Sequence, residues 1–421
     1  MNISELHTIY SNECGYVVDT DTRKLRKGSL FFAWKGEKDD GNRFAQQALD
    51  NGAQYVVIDN PEFALDDRCI LVEDSIKTLQ DLAKFHREQF TIPVLAIGGS
   101  NGKTTTKELV ASVLKEKYKI HVTEKNFNNH TGVPLTLLAM HPDTECAVVE
   151  IGANHAGEHS ALLDVLQPTH VLVTNNGKDH LEGFGSTQGV RKANAEIFVW
   201  AEKHNAQIFV NKFLLDLVED SSGGNQILYP EFDFQGTSDI FASINYDDLE
   251  IKSRLFGSFN EVNILAAVVI GIYFDVEKKK IKESIEGYTP ELNRSQIVNK
   301  ENYTVIMDCY NANPSSMELA LLDVFTVSQE KKKIIVIGDM AELGSESSFC
   351  HKEILELVNN NISTKDIVIC VGSIFSSFQE KYPFHFFENI NDAKIFFTSL
   401  EKKDALVFLK ASRSLGLENI L

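Results

Sequence analysis

The stretch VLAIGGSNGKTTTKELV, residues 94–110, decides the fold of the central part of the chain. An apolar segment is followed by a glycine-rich turn and then by a helical pattern. This order is typical of a phosphate-binding loop that joins a strand to a helix. Gly99 and Gly102 let the backbone approach a ligand closely. The usual pattern has a further glycine where this chain has Ile97, so the loop is a shortened one.

The loop residues have the chemistry that a nucleoside triphosphate requires. Lys103 would neutralise the β- and γ-phosphates, and the hydroxyl of Thr104 or Thr105 would bind Mg²⁺. Backbone N–H groups of the turn would hold phosphate oxygens. We therefore predict an ATP or GTP site made of Gly99, Ser100, Asn101, Gly102, Lys103, Thr104 and Thr105.

Length and composition restrict the classes of protein to consider. At ~150 residues per domain, 421 residues suggest about three domains. The net charge of −19 argues against general binding of nucleic acid, which needs clustered lysine and arginine. We find neither an apolar run of the ~18 residues that a membrane span needs nor a basic–apolar leader, so we expect a cytoplasmic protein without stable membrane insertion. The six cysteines form no CxxC pair, which predicts reduced thiols.

Strand and helix patterns alternate along most of the chain. After residue 94, apolar strand candidates such as VLAIGG, CAVVEIGA and HVLVTNN are separated by helical patterns, which argues for a parallel sheet covered by helices. The stretch GYTPELNRSQ reads as a linker, and a second alternating series follows it. We predict an α/β protein of three domains: a small N-terminal α/β domain (1–88), a central parallel-sheet domain with the phosphate loop (89–292) and a C-terminal Rossmann-like domain (293–421).

The short loop Gly-x-x-Gly-Lys-Thr resembles that of the Mur ligases and of the folylpolyglutamate synthetases. Further motifs, in family order along essentially the whole chain, favour the Mur ligases, and within them the branch that adds D-Ala-D-Ala. A UDP-binding N-terminal domain of the DTR type is absent from folylpolyglutamate synthetases. The motifs are DTDTRKLRKGSLFFAWKGEKDDGNRF (19–44), TEKNFNNHTGVPLTLL (123–138), EIGANHAGEH (150–159), HLEGFGSTQGV (180–190), MDCYNANPSSM (307–317), GDMAELG (338–344) and LKASRS (409–414).

The resemblance implies an ATP-dependent, ADP-forming amide-bond ligase of cytoplasmic peptidoglycan precursor synthesis. Its substrates would be UDP-MurNAc-tripeptide and D-Ala-D-Ala, its cofactors ATP and Mg²⁺, and its state a monomer. The reaction would pass through an acyl phosphate, because a carboxylate is a poor acyl donor until its oxygen is phosphorylated. Such chemistry depends on cations placed where negative charge gathers and needs no protein nucleophile.

Two residues beyond the loop are candidate metal ligands. Glu150 ends the apolar strand CAVVE, and a carboxylate at the carboxyl end of a parallel strand beside a phosphate loop is a natural Mg²⁺ ligand. The resemblance implies that His180 helps to hold a second magnesium ion. We therefore predict Lys103, Glu150 and His180 as catalytic residues and Thr104, Glu150 and His180 as the metal set. His155 is a weaker candidate for a substrate contact.

The resemblance also assigns residues to the two substrates and to ATP. The UDP side, including uridine, sugar and peptide, would contact Thr22, Arg23, Asn126, Asn128, Asn129 and Thr131, with Lys35 and Gly36 as further candidates. The D-Ala-D-Ala side would contact Asn311, Asn313, Lys410, Ser412 and Arg413. ATP would contact Asn260 at adenine, together with Arg294, Asp308 and Tyr310.

One position departs from the family pattern in a way that bears on catalysis. In GVRKANAEIF, Asn194 stands where many Mur ligases have a lysine that becomes carbamylated and helps to bind the second Mg²⁺. Lys192 could replace that lysine only if a shift of two residues, about 200° around a helix, were tolerated. Asn194 could instead act as a neutral ligand, or the protein could be a low-activity or non-catalytic relative.

A second alternative is the related ligase that adds the third amino acid of the same peptide. That branch usually has Asp-Asn-Pro-Arg in its C-terminal domain, whereas this chain has YNANPSSM. The difference favours the D-Ala-D-Ala enzyme. The sequence leaves open whether the third residue of the accepted peptide is meso-diaminopimelate or lysine.

Overall fold

The computed structural model describes residues 1–36, 39–65, 67–229, 240–291, 293–327 and 331–421. Within them lie three largely parallel sheets, each covered by helices, and one antiparallel hairpin. The predicted α/β fold class is therefore confirmed. The boundary predicted at 292/293 involves Leu292, which lies outside the described residues, and the domain limits stay predictions.

The N-terminal domain is a small parallel sheet with three α-helices. Its sheet order is β1-β2-β3-β4. The strands are β1 (Val18–Asp19), β2 (Leu30–Phe32), β3 (Tyr55–Ile58) and β4 (Cys69–Leu71). The helices are α1 (Ile3–Thr8), which continues as a π-helical turn over Ile9–Glu13, α2 (Ala45–Asp50) and α3 (Ser75–Arg87).

The central domain is a six-stranded parallel sheet followed by a hairpin. The sheet strands are β5 (Val94–Gly98), β6 (Ile120–Val122), β7 (Cys146–Glu150), β8 (His170–Val173), β9 (Gln207–Val210) and β10 (Asn225–Leu228), and the hairpin is β11 (Phe241–Tyr246) and β12 (Leu249–Phe256). The helices are α4 (Lys103–Leu114), α5 (Gly132–Leu138), α6 (Glu158–Leu166), α7 (Leu181–Phe184), α8 (Thr187–Lys203), α9 (Leu215–Asp220), α10 (Glu261–Tyr273) and α11 (Lys278–Gly287).

The order of the central sheet, β10-β9-β8-β5-β7-β6, decides where polar residues meet. Strand β5 lies in the middle and is paired in parallel with β7 and β8. The phosphate loop therefore leaves the sheet between Glu150, at the end of β7, and the polar segment 174–180 that follows β8. Ligands of open parallel sheets bind at this carboxyl edge, where neighbouring connections diverge.

The C-terminal domain is a second six-stranded sheet, ordered β13-β14-β18-β15-β16-β17, with the edge strand β13 antiparallel to β14. The strands are β13 (Gln296–Asn299), β14 (Thr304–Met307), β15 (Lys333–Gly338), β16 (Ile367–Val371), β17 (His385–Phe387) and β18 (Leu406–Lys410). The helices are α12 (Pro314–Thr326), α13 (Ser347–Asn361), α14 (Ser373–Ser376) and α15 (Ile390–Ser399).

Helix α3 joins the N-terminal domain to the central one. Its buried side chains share a continuous apolar core with both sheets. The buried guanidinium of Arg87 donates to the carbonyl oxygens of Leu166 and Gln167, which end α6. None of the helices that the structure describes combines the length and the apolar character required to cross a bilayer.

Candidate active site

The phosphate loop adopts a backbone that only glycine accommodates at two positions. Gly99 has φ +112°, and a Cβ placed there would lie 2.7 Å from the backbone nitrogen of Thr174. Gly102 has φ +81° and starts helix α4, and a Cβ there would lie 2.6 Å from Oδ1 of Asn263. The two glycines therefore let the loop lie directly against the segment after β8 and against helix α10.

Asn175 holds the loop in this conformation from the neighbouring strand end. Its carbonyl oxygen accepts from the N–H of Ser100 at 2.9 Å. Its side chain accepts from the N–H of Asn101 at 3.1 Å and donates to the Asn101 carbonyl at 2.9 Å. The ammonium of Lys103 folds over the same loop, donating to the carbonyl oxygens of Gly99 and Ser100. The loop is thus preorganised by contacts within the central domain.

The loop opens into a cavity of about 1160 Å³ bounded by the central and C-terminal domains and by Gln80 of helix α3. Most of the predicted site residues line it. They are Ser100, Asn101, Gly102, Lys103, Thr104, Thr105, Asn126, Asn128, Asn129, Glu150, His155, His180, Asn260, Arg294, Asp308, Tyr310, Asn311, Asn313 and Lys410. A volume of this size accommodates a drug-sized ligand or larger.

Glu150 faces this cavity as a buried carboxylate. It is 3% exposed, and its Oε1 accepts from the side-chain amide of Asn128 at 2.9 Å. Its Oε2 has no hydrogen-bond partner within the described chain. Asp179, which also lines the cavity, likewise has a buried Oδ1 without a partner among the described residues. A buried carboxyl oxygen without a partner is costly, so each of these side chains is suited to contact a hard cation such as Mg²⁺.

No cluster of three or more His, Cys, Asp or Glu side chains in the described ranges has the arrangement of a metal centre. Proteins usually bind Mg²⁺ through one or two carboxylates together with water and substrate phosphates. Thr104 is buried at the start of α4, and its hydroxyl could bind the same Mg²⁺ ion as the carboxylate of Glu150. The residues present therefore fit a Mg²⁺–nucleotide rather than an all-protein metal site.

His180 contacts the C-terminal domain. It has φ +45° at the start of α7, and its Nδ1 lies 2.5 Å from Oε2 of Glu342. The hydrogen bond with His180 holds the pKa of the Glu342 carboxyl below its usual value. The N–H of Glu182 also donates to the Glu342 carbonyl, at 3.1 Å. In this conformation the predicted metal-binding histidine therefore forms part of an interdomain contact.

Asn194 lies in the interior behind the cavity wall. It is 5% exposed, and its amide donates to Oδ1 of Asn176 at 2.8 Å. The Asn176 amide in turn donates to Asp216 at 2.7 Å. The imidazole of His159, buried beside Asn194, has its pKa lowered to about 4 by burial. Lys192 is exposed on another face of α8, which argues against its taking the place of the family lysine.

Asn260, the predicted adenine contact, is committed to protein contacts. It is 1% exposed, and its amide donates to the Phe256 carbonyl at 2.8 Å and to Oγ of Ser295 at 3.2 Å. Its Oδ1 accepts from Asn263 at 2.8 Å, and Asn263 in turn accepts from Thr106 of helix α4. Asn260 thus fixes the start of α10 against the phosphate-loop helix, and its role at adenine stays a prediction.

Arg294 and Tyr310 form a stacked pair on the cavity wall. The guanidinium carbon of Arg294 lies 3.6 Å from the Tyr310 ring centroid, and that of Arg413 lies 5.7 Å from the same ring. Asp308 accepts from the buried ammonium of Lys410 and from the N–H of Ser295 at 3.0 Å. Lys410 is therefore neutralised by Asp308 rather than presented alone to a carboxylate substrate.

The polar run after β6 combines site-facing and structural roles. Asn128 faces Glu150, as described above. Asn129 uses its Oδ1 to accept from the N–H groups of Thr131, at 3.3 Å, and of Gly132, at 2.9 Å, so it caps the start of α5. Asn126 is exposed on the cavity wall.

Several predicted residues do not line this cavity. Thr22 and Arg23 lie on the N-terminal domain, where Arg23 is 84% exposed and paired with Asp21. Ser412 is buried, with its hydroxyl donating to the Asp339 carbonyl at 2.6 Å. In the described part of the chain, the residues that line the cavity also do not include Gly99, Thr131 and Arg413.

The sequence interpretation missed four residues that the structure brings to the site. Asn175 and Asp179 belong to the polar run NNGKDH after β8, and this run at a strand end was a usable signal. Glu261 of the central domain and Asp323 of the C-terminal domain both line the cavity, and the charge of Asp323 helps to raise the pKa of Glu261. Both oxygens of Glu261 and Oδ2 of Asp323 are buried without partners in the described part of the chain. No local pattern indicates this second pair, because it forms between helices α10 and α12 of different domains.

Comparison with known proteins agrees with the three-part organisation. Residues 97–271 match the Mur ligase middle domain, residues 293–413 match the Mur ligase glutamate ligase domain, and residues 16–87 match the catalytic domain of the Mur ligase family. The chain is 31% identical to the UDP-N-acetylmuramoyl-tripeptide–D-alanyl-D-alanine ligase of Bacillus subtilis (strain 168), over 96% of this chain and 92% of that protein.

Solved structures give the same result. A crystal structure of MurF from Acinetobacter baumannii superposes with a TM-score of 0.85 at 27% identity, covering 96% of this chain and 92% of that one. MurF ligase from Thermotoga maritima in complex with ADP gives a TM-score of 0.81 at 25% identity, covering 96% of each chain. The chain belongs to the Mur ligase family and, within it, to the UDP-N-acetylmuramoyl-tripeptide–D-alanyl-D-alanine ligases.

Proposed function

We propose that this protein joins D-Ala-D-Ala to UDP-MurNAc-tripeptide with hydrolysis of ATP to ADP and phosphate. The observation that carries the proposal is the phosphate loop opening into one large cavity walled by both the central and the C-terminal domain. A ligase of two substrates and ATP needs such a shared space, because its three reactants must meet away from water. The relatives named for this reaction match the chain along nearly its whole length.

In the first step, the terminal carboxylate of the tripeptide attacks the γ-phosphorus of ATP, and ADP leaves. The N–H groups of the loop and the ammonium of Lys103 offset the charge that spreads over the phosphoryl oxygens. Lys103 already lies over the loop, where it donates to two of its carbonyl oxygens. It needs only to exchange one of these contacts for a phosphate oxygen.

Glu150 and the hydroxyl of Thr104 would hold Mg²⁺, with His180 as a further candidate ligand. The ion would supply charge neutralisation at the β- and γ-phosphates. Asn128 orients the Glu150 carboxylate by donating to Oε1, and Oε2 has no hydrogen-bond partner among the described residues. The contact with Glu342 uses Nδ1 of His180, so Nε2 would be the ring nitrogen available to a metal.

In the second step, the amine of D-Ala-D-Ala attacks the carbonyl carbon of the acyl phosphate, and phosphate leaves. The amine must lose a proton, and the products are the amide and inorganic phosphate. Arg294, Tyr310 and Asn311 line the C-terminal side of the cavity and suit the carboxylate end of the dipeptide or the ribose and phosphates of ATP. The predicted roles of Ser412 and Arg413 at the dipeptide would require them to act from outside the cavity wall.

We assign UDP to the N-terminal domain, at Thr22 and Arg23, with the sugar and peptide extending past helix α3 to the cavity. Gln80 of α3 lines the cavity and donates to the His130 carbonyl at 3.0 Å, so this helix connects the two regions. We further propose a monomeric cytoplasmic enzyme of peptidoglycan precursor synthesis that does not bind nucleic acid.

A coupled assay of ADP release tests the function directly. The protein is mixed with ATP, Mg²⁺, UDP-MurNAc-tripeptide and D-Ala-D-Ala, and the pentapeptide product is identified by mass. ADP release should require both peptide substrates, and L-Ala-L-Ala should react far more slowly, because a misplaced amine loses its alignment with the acyl phosphate. ADP release with a single amino acid and UDP-MurNAc-dipeptide would instead support the ligase that adds the third residue.

A further inference from the structure

Helix α12 of the C-terminal domain begins directly on the phosphate loop of the central domain. The side-chain amide of Asn313, which precedes the helix, donates to Oδ1 of Asn101 at 2.8 Å. Two residues later, the hydroxyl of Ser315 accepts from the N–H of Lys178 at 2.8 Å. The first turn of α12 therefore touches both the loop and the segment that braces it.

The orientation of the Asn313 amide is fixed by the helix that it caps. Its Oδ1 accepts from the N–H of Ser316 at 2.8 Å, and the Ser316 hydroxyl accepts from the N–H of Asn313 at 3.2 Å. Since the oxygen is committed to the helix, the nitrogen must point away from it, towards the loop. Asn313 is only 7% exposed, so water does not readily replace this contact.

Asn101 is equally constrained on the other side of the contact. Both its N–H and its carbonyl are bonded to the side chain of Asn175. Its position in the loop is immediately before Gly102 and Lys103. A movement of the C-terminal domain would therefore act, through the side-chain amides of Asn313 and Asn101, on the backbone of the phosphate loop.

We propose that Asn313 is a positioning residue that couples docking of the C-terminal domain to the nucleotide-ready conformation of the phosphate loop. This proposal rests on the proposed function and adds the role of one residue to it. Because coupling between two binding events is reciprocal, nucleotide at the loop favours the docked domain, and the docked domain strengthens nucleotide binding. The family resemblance predicts that Asn313 contacts D-Ala-D-Ala, whereas the proposed coupling gives it a positioning role at the phosphate loop.

The test is a double-mutant cycle of Asn313→Ser and Asn101→Ala. Serine keeps a good helix cap but is too short to reach the loop, so it removes the interdomain bond and retains the helix start. Each single variant should weaken ADP binding about 2- to 10-fold, the range of one neutral hydrogen bond, and should lower kcat. The double variant should be no worse than the more affected single variant, because both remove the same bond.

Asn389→Ser is the matched control. Asn389 caps α15 of the same domain, its side chain accepting from the N–H of Asp392 at 3.1 Å, and it does not line the cavity. This variant should leave ADP affinity and kcat unchanged. Additive losses in the double variant, or a lower Tm in Asn313→Ser with unchanged ADP affinity and kcat, would overturn the coupling. If the parent protein binds ADP but forms no pentapeptide, the proposed function is wrong. The ADP affinities of the variants would still show whether Asn313 and Asn101 are coupled.

Discussion

Lys103 is the side chain on which the phosphoryl chemistry of the loop most directly depends. Lys103→Ala removes a positive charge from beside the transferring phosphoryl group without opening the core, since the ammonium lies over the loop and donates to two of its carbonyl oxygens. Turnover should fall by about 10²- to 10³-fold, the usual cost of one preorganised donor. The measurement is kcat by ADP release, with Tm as a check of folding. Lys115→Ala, at an exposed lysine after the same helix, is the control, and near-parent turnover in Lys103→Ala would refute the loop assignment.

Asn194 tests how the site works without the family lysine. An amide offers an oxygen but no charge and cannot be carbamylated, so we expect an active ligase with a high magnesium requirement and no activation by bicarbonate. Loss of one supporting metal contact costs about 10- to 100-fold, which is compatible with activity. Asn194→Lys should lower the half-saturating Mg²⁺ concentration when bicarbonate is present.

The comparison variant for this position is Asn194→Ala, which removes the bond to Asn176 without adding an amine. It should stay insensitive to bicarbonate. Two findings would contradict the hypothesis: a carbamylated lysine in the native protein, or complete inactivity at high magnesium with every substrate present.

Residues of the loop and Glu150 could be predicted from sequence because their chemistry is carried by a local pattern, strand–glycine turn–helix or strand end. The role of Asn313 could not be predicted in the same way. Its motif marks a helix start, but its partner Asn101 lies more than two hundred positions earlier in the chain. Whether an asparagine faces substrate or another domain depends on tertiary placement, which no local spacing encodes.

At the scale of elements, helix α3 holds the N-terminal domain to the central one through buried histidine contacts. His86 is 2% exposed, its Nε2 lies 3.1 Å from the Met140 carbonyl and its Nδ1 lies 3.1 Å from Nε2 of His7. Burial lowers the pKa of His86 to about 4. The folded protein therefore prefers neutral His86, and its contribution to stability is complete above pH 6.5 and lost as pH falls towards 4.

We accordingly expect Tm to fall as the pH is lowered from about 6.5 to 4, and the fall to be smaller in His86→Gln, whose side chain does not titrate. The buried His159 and His170 also have pKa values lowered to about 4, so part of the slope will remain. His385→Gln, at an exposed histidine, is the control. An identical pH dependence of Tm in the parent and in His86→Gln would show that protonation of His86 does not contribute to the loss of stability at low pH.

The long periodic elements were predictable, whereas the short ones were not. Strands β5, β7 and β8 and helix α10 carry continuous apolar runs or clear boundaries, and they form where the sequence indicates. Strand β1, of two residues, has no pattern to detect. Tertiary placement can also bury a charged residue that the local sequence would leave in solvent: Lys333 begins strand β15 and is 5% exposed.

At the scale of the whole molecule, the C-terminal domain lies against the phosphate loop, and the proposed reaction requires this placement. The contacts that cross this interface include Asn313 with Asn101, Glu342 with His180, and Asp323 with Ser258 at 2.8 Å. The sequence indicates that these two domains meet, because ATP contacts are expected from residues of both. It gives no indication that their contact also brings two carboxyl groups together, Glu261 and Asp323.

We expect these two carboxyl groups to make docking of the C-terminal domain depend on pH. Glu261 is 1% exposed, and burial, followed by the charge of Asp323, raises its pKa to about 7. Burial also raises the pKa of Asp323. For an acid whose pKa is raised, the favourable contribution is complete below its ordinary pKa, here 4.5, and is lost as pH rises through about 7. Docking should therefore be favoured by a proton on Glu261.

Small-angle scattering of the protein with ADP should show a smaller radius of gyration at pH 5.5 than at pH 8, since the docked arrangement keeps Glu261 neutral. Glu261→Gln, which is neutral at every pH, should stay compact at pH 8 and show a weaker pH dependence. The His180–Glu342 contact crosses the same interface, so the comparison with Glu261→Gln is what isolates the carboxyl pair. Glu283→Gln, at an exposed position of α11, is the matched control. If the parent and Glu261→Gln expand equally between these pH values, the carboxyl pair does not govern docking, and the pH response must come from other contacts of the interface.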